Sequence, residues 1–443
     1  MNSWLPVLVC LTSLVRCANV VAGQASPYPA ADGMKTYERL LKKIEAIPIY
    51  DNHSHPGFPD DTDVDAMAAP PGESATLRLR EDNPEFVAAA KALFGYPYDD
   101  FKPEHSSWLR DKKKAAEQKG DPAYFDGILD KLNVDICLAN RAMMAPYLDP
   151  KRFHWVFFGD SFFFPFDNKQ QTASTPDMAV YVPLQEKMLS RYQKQEGLEG
   201  LPGDLAGYEQ FVQKTMADNQ KHGGVAIKYE AAYFRTLYFS DPPREQAEAI
   251  YNRYSAGGVP SASEYQIFQD YIFRLMVNQA GKLHLPMHFH SAVGIGDYFS
   301  LRNGNVLNLE NVLRDQRYKD VTFVLLHGGW PYEREAALLT AVKNVYLDTS
   351  FQSQMLYPSE LKEVLKLLLT IYPDKMMYGS DAFPFNDALG AEESFWLAAR
   401  SSRLALAAAL AELVEEGAIS ETKAIEMARN YLHDNAAALY GDR

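Results

Sequence analysis

From Ile47 onward the chain alternates short apolar runs with longer stretches in which apolar residues return every three or four positions. The first kind of run reads as a strand covered on both faces, the second as an amphipathic helix lying across it. Eight strand candidates follow in order: IPIYDNH from Ile47, VDICLAN from Val134, FHWVFFG from Phe153, VAIKYE from Val225, LPMHFH from Leu285, VTFVLLH from Val321, VYLDTS from Val345 and MMYGSD from Met376. Helical patterns such as EYQIFQDYIFRLMVNQAGK, YEREAALLTAVKN and SELKEVLKLLLTIY lie between them. Repeated strand and helix units make parallel neighbours, and eight such units close a barrel. The pattern predicts an α/β fold: one (β/α)8 TIM barrel within residues 24–443.

Two connections break the rhythm, with insertions near 57–125, after the first strand, and 160–220, after the third. Loops that leave the C-terminal ends of barrel strands stand over the active site. Both insertions are therefore expected to be lids or pocket walls, with decoration or an oligomer contact as the structural alternative. After Asp381 the chain reads as helical to its end, with Ser420 placed to cap ETKAIEMARNYLHDNAAAL.

Hydrophobic residues at 47% supply a large core, and the net charge of -14 argues against nucleic acid as a partner. Only Lys112, Lys113 and Lys114 cluster, and a solvated helix face accounts for them. The first residues carry an apolar run from Trp4 to Val15 and then small residues, Val21-Ala22-Gly23, before Gln24. That pattern predicts a signal peptide over 1–23 and an exported protein, periplasmic or secreted, with no stable membrane insertion after cleavage. Cys10 and Cys17 fall in this segment, so Cys137 would stand alone and the mature chain would have no internal disulfide.

His53 and His55 stand two apart at the end of the first strand candidate, so alternation gives them one face, the barrel interior. Two imidazoles converging at a barrel mouth suit a borderline divalent metal such as zinc, although the pair alone is weak evidence. The remaining strand ends strengthen it. His288 and His290 end the fifth candidate, His327 the sixth and Asp381 the eighth. His105, His154, His222, His284 and His433 show no such convergence. Asp381 also reads as a helix cap, but a carboxylate at that position can bind a metal or take a proton from a metal-activated water.

This ordered set resembles the amidohydrolase superfamily. Residues Ala226 to Gly441 are similar to its amidohydrolase-related branch, including the domain fused to glutamine synthetase-like domains in some plant and fungal proteins. The resemblance is carried by AIKYEAAYFR, HFHSAVGIGD, LLHGGWPY, YGSDAFPF and ARNYLHDNAAALYG. It implies His53, His55, His290 and Asp381 as ligands of one or two divalent ions, zinc foremost, with Asp381 also catalytic. His327 would complete a second metal site or hold a substrate carbonyl or water, and His288 would support a ligand or fill a barrel layer. Lys228 would be either a carboxylated bridge between two metals or a partner for a substrate carboxylate. Tyr233 and Arg235 are candidates for an anionic substrate group, with packing on the following helix as their alternative. The expected activity is hydrolysis of an amide or other C–N bond of a small molecule by a metal-activated water. Nonoxidative decarboxylation of a small carboxylic acid is the rival, and a noncatalytic binding protein on the same fold is the third reading. The sequence leaves a homo-oligomer open.

Overall fold

The computed structural model describes residues 31–59, 75–294 and 296–441; the expected signal segment 1–23 lies outside them. Eight strands run in sheet order equal to chain order, and every neighbouring pair is parallel. They are β1 Ile49–Ser54, β2 Val134–Asn140, β3 Phe153–Phe158, β4 Gly224–Tyr229, β5 Met287–Phe289, β6 Phe323–Leu325, β7 Val345–Asp348 and β8 Met376–Met377. The seam between the last strand and the first is closed by separate hydrogen bonds. Asn52 N donates to Tyr378 O at 3.0 Å, Asp381 N to His53 O at 2.7 Å and His55 N to Ala382 O at 2.7 Å. The barrel expected from the alternation of runs is the one observed.

The larger core lies between strands and outer helices, where Phe157, Ile227, Phe289 and Leu347 meet residues such as Phe211, Met276 and Leu365. A smaller cluster fills the lower barrel interior: Tyr50, Leu138, Val156, Ala226, Val324 and Met377 pack with Ala436 and Tyr440 of the last helix, Asn435–Tyr440. Tyr440 stacks on Tyr50 with ring centroids 6.0 Å apart. Nearer the C-terminal ends of the strands the buried residues turn polar, with Asn52, Asn140, Lys228, His288 and Asp348. Such groups are tolerated there only when hydrogen-bonded.

The connection after β1 carries helices Pro84–Phe94, Pro103–Lys119 and Ala123–Leu132. The one after β3 carries Pro176–Gln195, capped by Thr175, and Leu205–Lys221, capped by Asp204. Buried charge fastens the first of these to the long helix Ala391–Glu415. Lys113 Nζ lies 2.5 Å from Glu393 Oε2 and 3.3 Å from Glu392 Oε2, while Tyr124 donates to Glu392 Oε1 at 2.6 Å. Arg78 is paired with Glu85 and donates to Ser401 Oγ at 2.6 Å, making a second fastening. Arg403 ties the same long helix to the start of β1 through Ile44 O and Ile47 O.

Two carboxylates share one ammonium in that cluster, and burial pushes the Glu393 carboxyl up to about 7 against the pull of Lys113. A carboxyl raised above its unfolded value of 4.5 stabilises the fold below that value. The stabilisation is lost as pH rises toward 7, by about 3 kcal/mol at most. Denaturant titrations at pH 4.5 and pH 8 should therefore show a larger loss of stability in wild type than in Glu393→Gln. Equal losses in the two proteins would remove Glu393 as the source.

Candidate metal centre and active site

β1 does not alternate regularly to its end, for its register against β2 shifts between Asp51 and Ser54. An irregularity of this kind re-aims side chains. Asn52 reaches Asp348 across the barrel, with Nδ2 2.6 Å from Oδ2, and His53 beside it reaches Asp381 after β8. His53 Nε2 lies 3.0 Å and His55 Nε2 3.5 Å from Asp381 Oδ1. All three residues are buried.

These three donor atoms lie within 4.8 Å of one another, and among the described residues no other group of three His, Cys, Asp or Glu does so. Donors about 2.0–2.2 Å from a tetrahedral zinc ion stand roughly 3.3–3.6 Å apart, so the spacing and the mixed nitrogen and carboxylate set fit a divalent ion. The charge states fit as well. Burial, reinforced by the nearby Lys228 ammonium, holds the His53 imidazolium far below its ordinary range, so the ring is neutral and ready to ligate. Burial would raise the Asp381 carboxyl, but the facing rings of His327, His53 and His55 outweigh it and hold it well below the ordinary carboxylate range. Asn140 at the end of β2 contacts the second nitrogen of His53, Nδ1, at 2.7 Å, and such a partner fixes the orientation of a ligating ring.

The carboxylate has two sides. Oδ1 faces His53 and His55, whereas Oδ2 lies 3.8 Å from His327 Nδ1. Gln354 holds the Asp381 backbone by donating to Ser380 O at 2.8 Å and Asp381 O at 2.6 Å. Four non-glycine residues just beyond consecutive strand ends take left-handed backbone: Ala292, His327, Phe351 and Asp381, with φ of 66°, 63°, 62° and 54°. Such conformations cost free energy and persist where the surroundings hold them, often at functional sites.

The structure differs from expectation at several residues. His290 is outside the three-donor group: its Nε2 donates to Val293 O at 2.8 Å and its Nδ1 meets His327 Nε2 at 2.9 Å, so both ring nitrogens have partners. Arg235 is not presented to a substrate. Its guanidinium pairs with Asp270, donates to Gln269 Oε1 at 3.1 Å and Tyr238 O at 3.0 Å, and lies over Phe239. Lys228 is wholly buried, 3.4 Å from Glu230, and opposite His288 in the β4–β5 register, so it lies inside the barrel. Its visible effect is on imidazoles, because burial and the Lys228 charge together push His288 down to about 3. His288 fills a barrel layer, 2.7 Å from Tyr440 Oη. Tyr233 is half-buried with its ring 4.5 Å from that of His290, where it can wall a pocket.

Asp348, Ser350, Asn140 and Gln354 were not among the expected site residues. The strand-end positions of Asn140 in VDICLAN and of Asp348 and Ser350 in VYLDTS are the sequence signals that mark three of them.

The parallel eight-stranded barrel gathers two imidazoles and a carboxylate at the C-terminal strand ends, a donor set that fits a divalent metal. Residues 260–441 match the family model described as amidohydrolase. Over 157 residues, 35% of this chain, the sequence is 32% identical to protein fluG of Emericella nidulans, and the match spans 17% of fluG. A Lactobacillus casei protein assigned as a metal-dependent hydrolase superposes with a TM-score of 0.65 at 18% identity, covering 90% of this chain and 97% of that one. Uronate isomerase of Thermotoga maritima gives 0.59 at 13% identity, covering 92% and 97%. At such identities the likeness is one of fold. The family match covers residues 260–441, and the likeness of the whole barrel to these structures is one of fold.

Replacing His53 or His55 with Ala should lower the divalent metal retained after dialysis to less than half of wild type, measured by elemental analysis, because each removes one of three donors. Full retention in the double variant would place the metal elsewhere.

Proposed function

We propose that the protein is a metal-dependent hydrolase that cleaves an amide or related C–N bond of a small molecule, and that it acts after export from the cell. The observation that carries the reading is the division of the Asp381 carboxylate, one oxygen toward the ligand histidines and the other toward His327. His53, His55 and Asp381 would hold a divalent ion, with zinc the first choice for two nitrogens and a carboxylate. When bound, such an ion supplies Lewis-acid activation of water and of the scissile carbonyl.

The chain's own groups then divide the work. Asp381, kept ionised in wild type, accepts a proton at Oδ2 and returns it to the leaving nitrogen. His327, adjacent to that oxygen, orients the substrate carbonyl or the attacking water through its ring. Tyr233 contributes an aromatic wall next to His290, which suits a substrate with a planar or apolar portion.

The test is a screen of small amides and carboxylic acids with zinc-loaded protein in ¹⁸O-labelled water. Release of ammonia or amine with ¹⁸O in the carboxylate product is expected. Carbon dioxide release without ¹⁸O incorporation would replace hydrolysis by nonoxidative decarboxylation. In Asp381→Asn, turnover should fall by about a hundred- to ten-thousandfold, the range credited to a general base, while metal content falls far less. Full activity in that variant would refute the role given to Asp381.

A further inference from the structure

We infer that Asp348 and Ser350, backed by Asn52 and Tyr440, form a positioning unit that holds His327 in its working orientation. The inference rests on the reading above that His327 belongs to the hydrolytic machinery. All four residues are buried.

Asp348 at the end of β7 is the centre of the unit. Its Oδ1 accepts from His327 N at 3.0 Å, Ser350 N at 3.1 Å and Ser350 Oγ at 2.6 Å, and its Oδ2 from Asn52 Nδ2 at 2.6 Å. One carboxylate thus fixes both the main chain of His327 and the hydroxyl that faces its ring. Ser350 Oγ lies 3.0 Å from His327 Nδ1. The contact matters because His327 and Gly328 both take left-handed backbone, with φ of 63° and 61°, which only a set of surrounding restraints maintains in a non-glycine residue. Gln352 adds one by donating to His327 O at 2.7 Å.

The opposite edge of the ring is restrained too. His290 Nε2 donates to Val293 O, which leaves Nδ1 of the neutral ring to accept from His327 Nε2. His327 is therefore gripped at both nitrogens, by Ser350 on one side and by His290 on the other. Below Asp348 the chain of contacts continues: Tyr440 Oη donates to Asn52 Oδ1 at 2.6 Å and lies 2.7 Å from His288 Nε2. The last turn of the last helix thereby reaches the site through Asn52 and Asp348.

A purely structural role for these groups predicts loss of stability without a specific change at His327, so the test reads the ring directly. In ¹⁵N-histidine-labelled, zinc-loaded full-length protein, His327 signals are assigned by their absence from His327→Gln. Ser350→Ala and Asp348→Asn should lose the protected ring N–H signal of His327. Their kcat on the best amide of the screen should fall by about 10- to 100-fold, as for a modest misplacement of a reacting group, while KM and metal content change less than about twofold. Ser350→Thr, which retains the hydroxyl, should recover both readouts, and Tyr440→Phe should show a weaker form of the same defect. Unchanged His327 signals in Ser350→Ala, or parallel loss of metal and fold with no recovery in Ser350→Thr, would overturn the unit. If wild type turns over no amide but the ring signal still depends on Ser350, the positioning stands and the hydrolytic reading fails.

Discussion

The structure turns on one buried carboxylate. Asp381 stands among His53, His55 and His327, with oxygen to nitrogen distances of 3.0, 3.5 and 3.8 Å. An ionised carboxylate inside a protein is tolerable only with such partners, because desolvation alone would drive it to its neutral form. The same residue closes the barrel, for Asp381 N donates to His53 O across the β8–β1 seam. Barrel closure and assembly of the donor set are therefore a single event. A register slip at the seam would separate the two histidines from their carboxylate.

What surrounds this carboxylate keeps His53 and His288 neutral and holds His327 fixed. Lys228 and Glu230 form an internal ion pair, and the Lys228 charge lowers the proton affinity of both His53 and His288. A neutral imidazole keeps the lone pair that ligation needs. Lys228 thus acts on the site from within the barrel, electrostatically. Burying so many polar groups is costly unless each is hydrogen-bonded, and the path from Tyr440 through Asn52, Asp348 and Ser350 to His327 supplies those bonds. The gradient from apolar packing around Tyr50 and Val324 to polar contacts near the mouth lets one interior provide both stability and chemistry.

Much of this was legible in the sequence. Strands covered on both faces leave nearly unbroken apolar runs, so all eight were found, with β2, β3, β7 and β8 starting where expected. The ladder in β5, β6 and β8 is shorter than the apolar runs, because residues such as Ser291 turn from backbone pairing to side-chain contacts, Ser291 Oγ donating to Leu326 O at 2.6 Å. His53, His55 and Asp381 stand at or just past strand ends, and the structure brings the three together. Arg235 takes the packing alternative rather than the anion contact, through Asp270 from a helix 35 residues further on, and no local pattern announces such a pairing. His290 continues the pairing with β4, its N donating to Tyr229 O at 2.8 Å, but its ring meets Val293 O and His327 Nε2 and lies outside the three-donor group. Asp348 escaped notice because its role depends on four donors from three separate stretches of chain.

The displacement of His290 has a chemical meaning. Structural zinc sites are closed by four protein ligands, whereas sites that perform chemistry keep three and leave a position for water or substrate. With His290 engaged by Val293 and His327, the compact donor set is two imidazoles and one carboxylate, the open type. His290 meets His327, the group that stands on the far side of the Asp381 carboxylate. An ion held by these three donors would keep a position for a further ligand, while His327 is held by Ser350 on one side and His290 on the other.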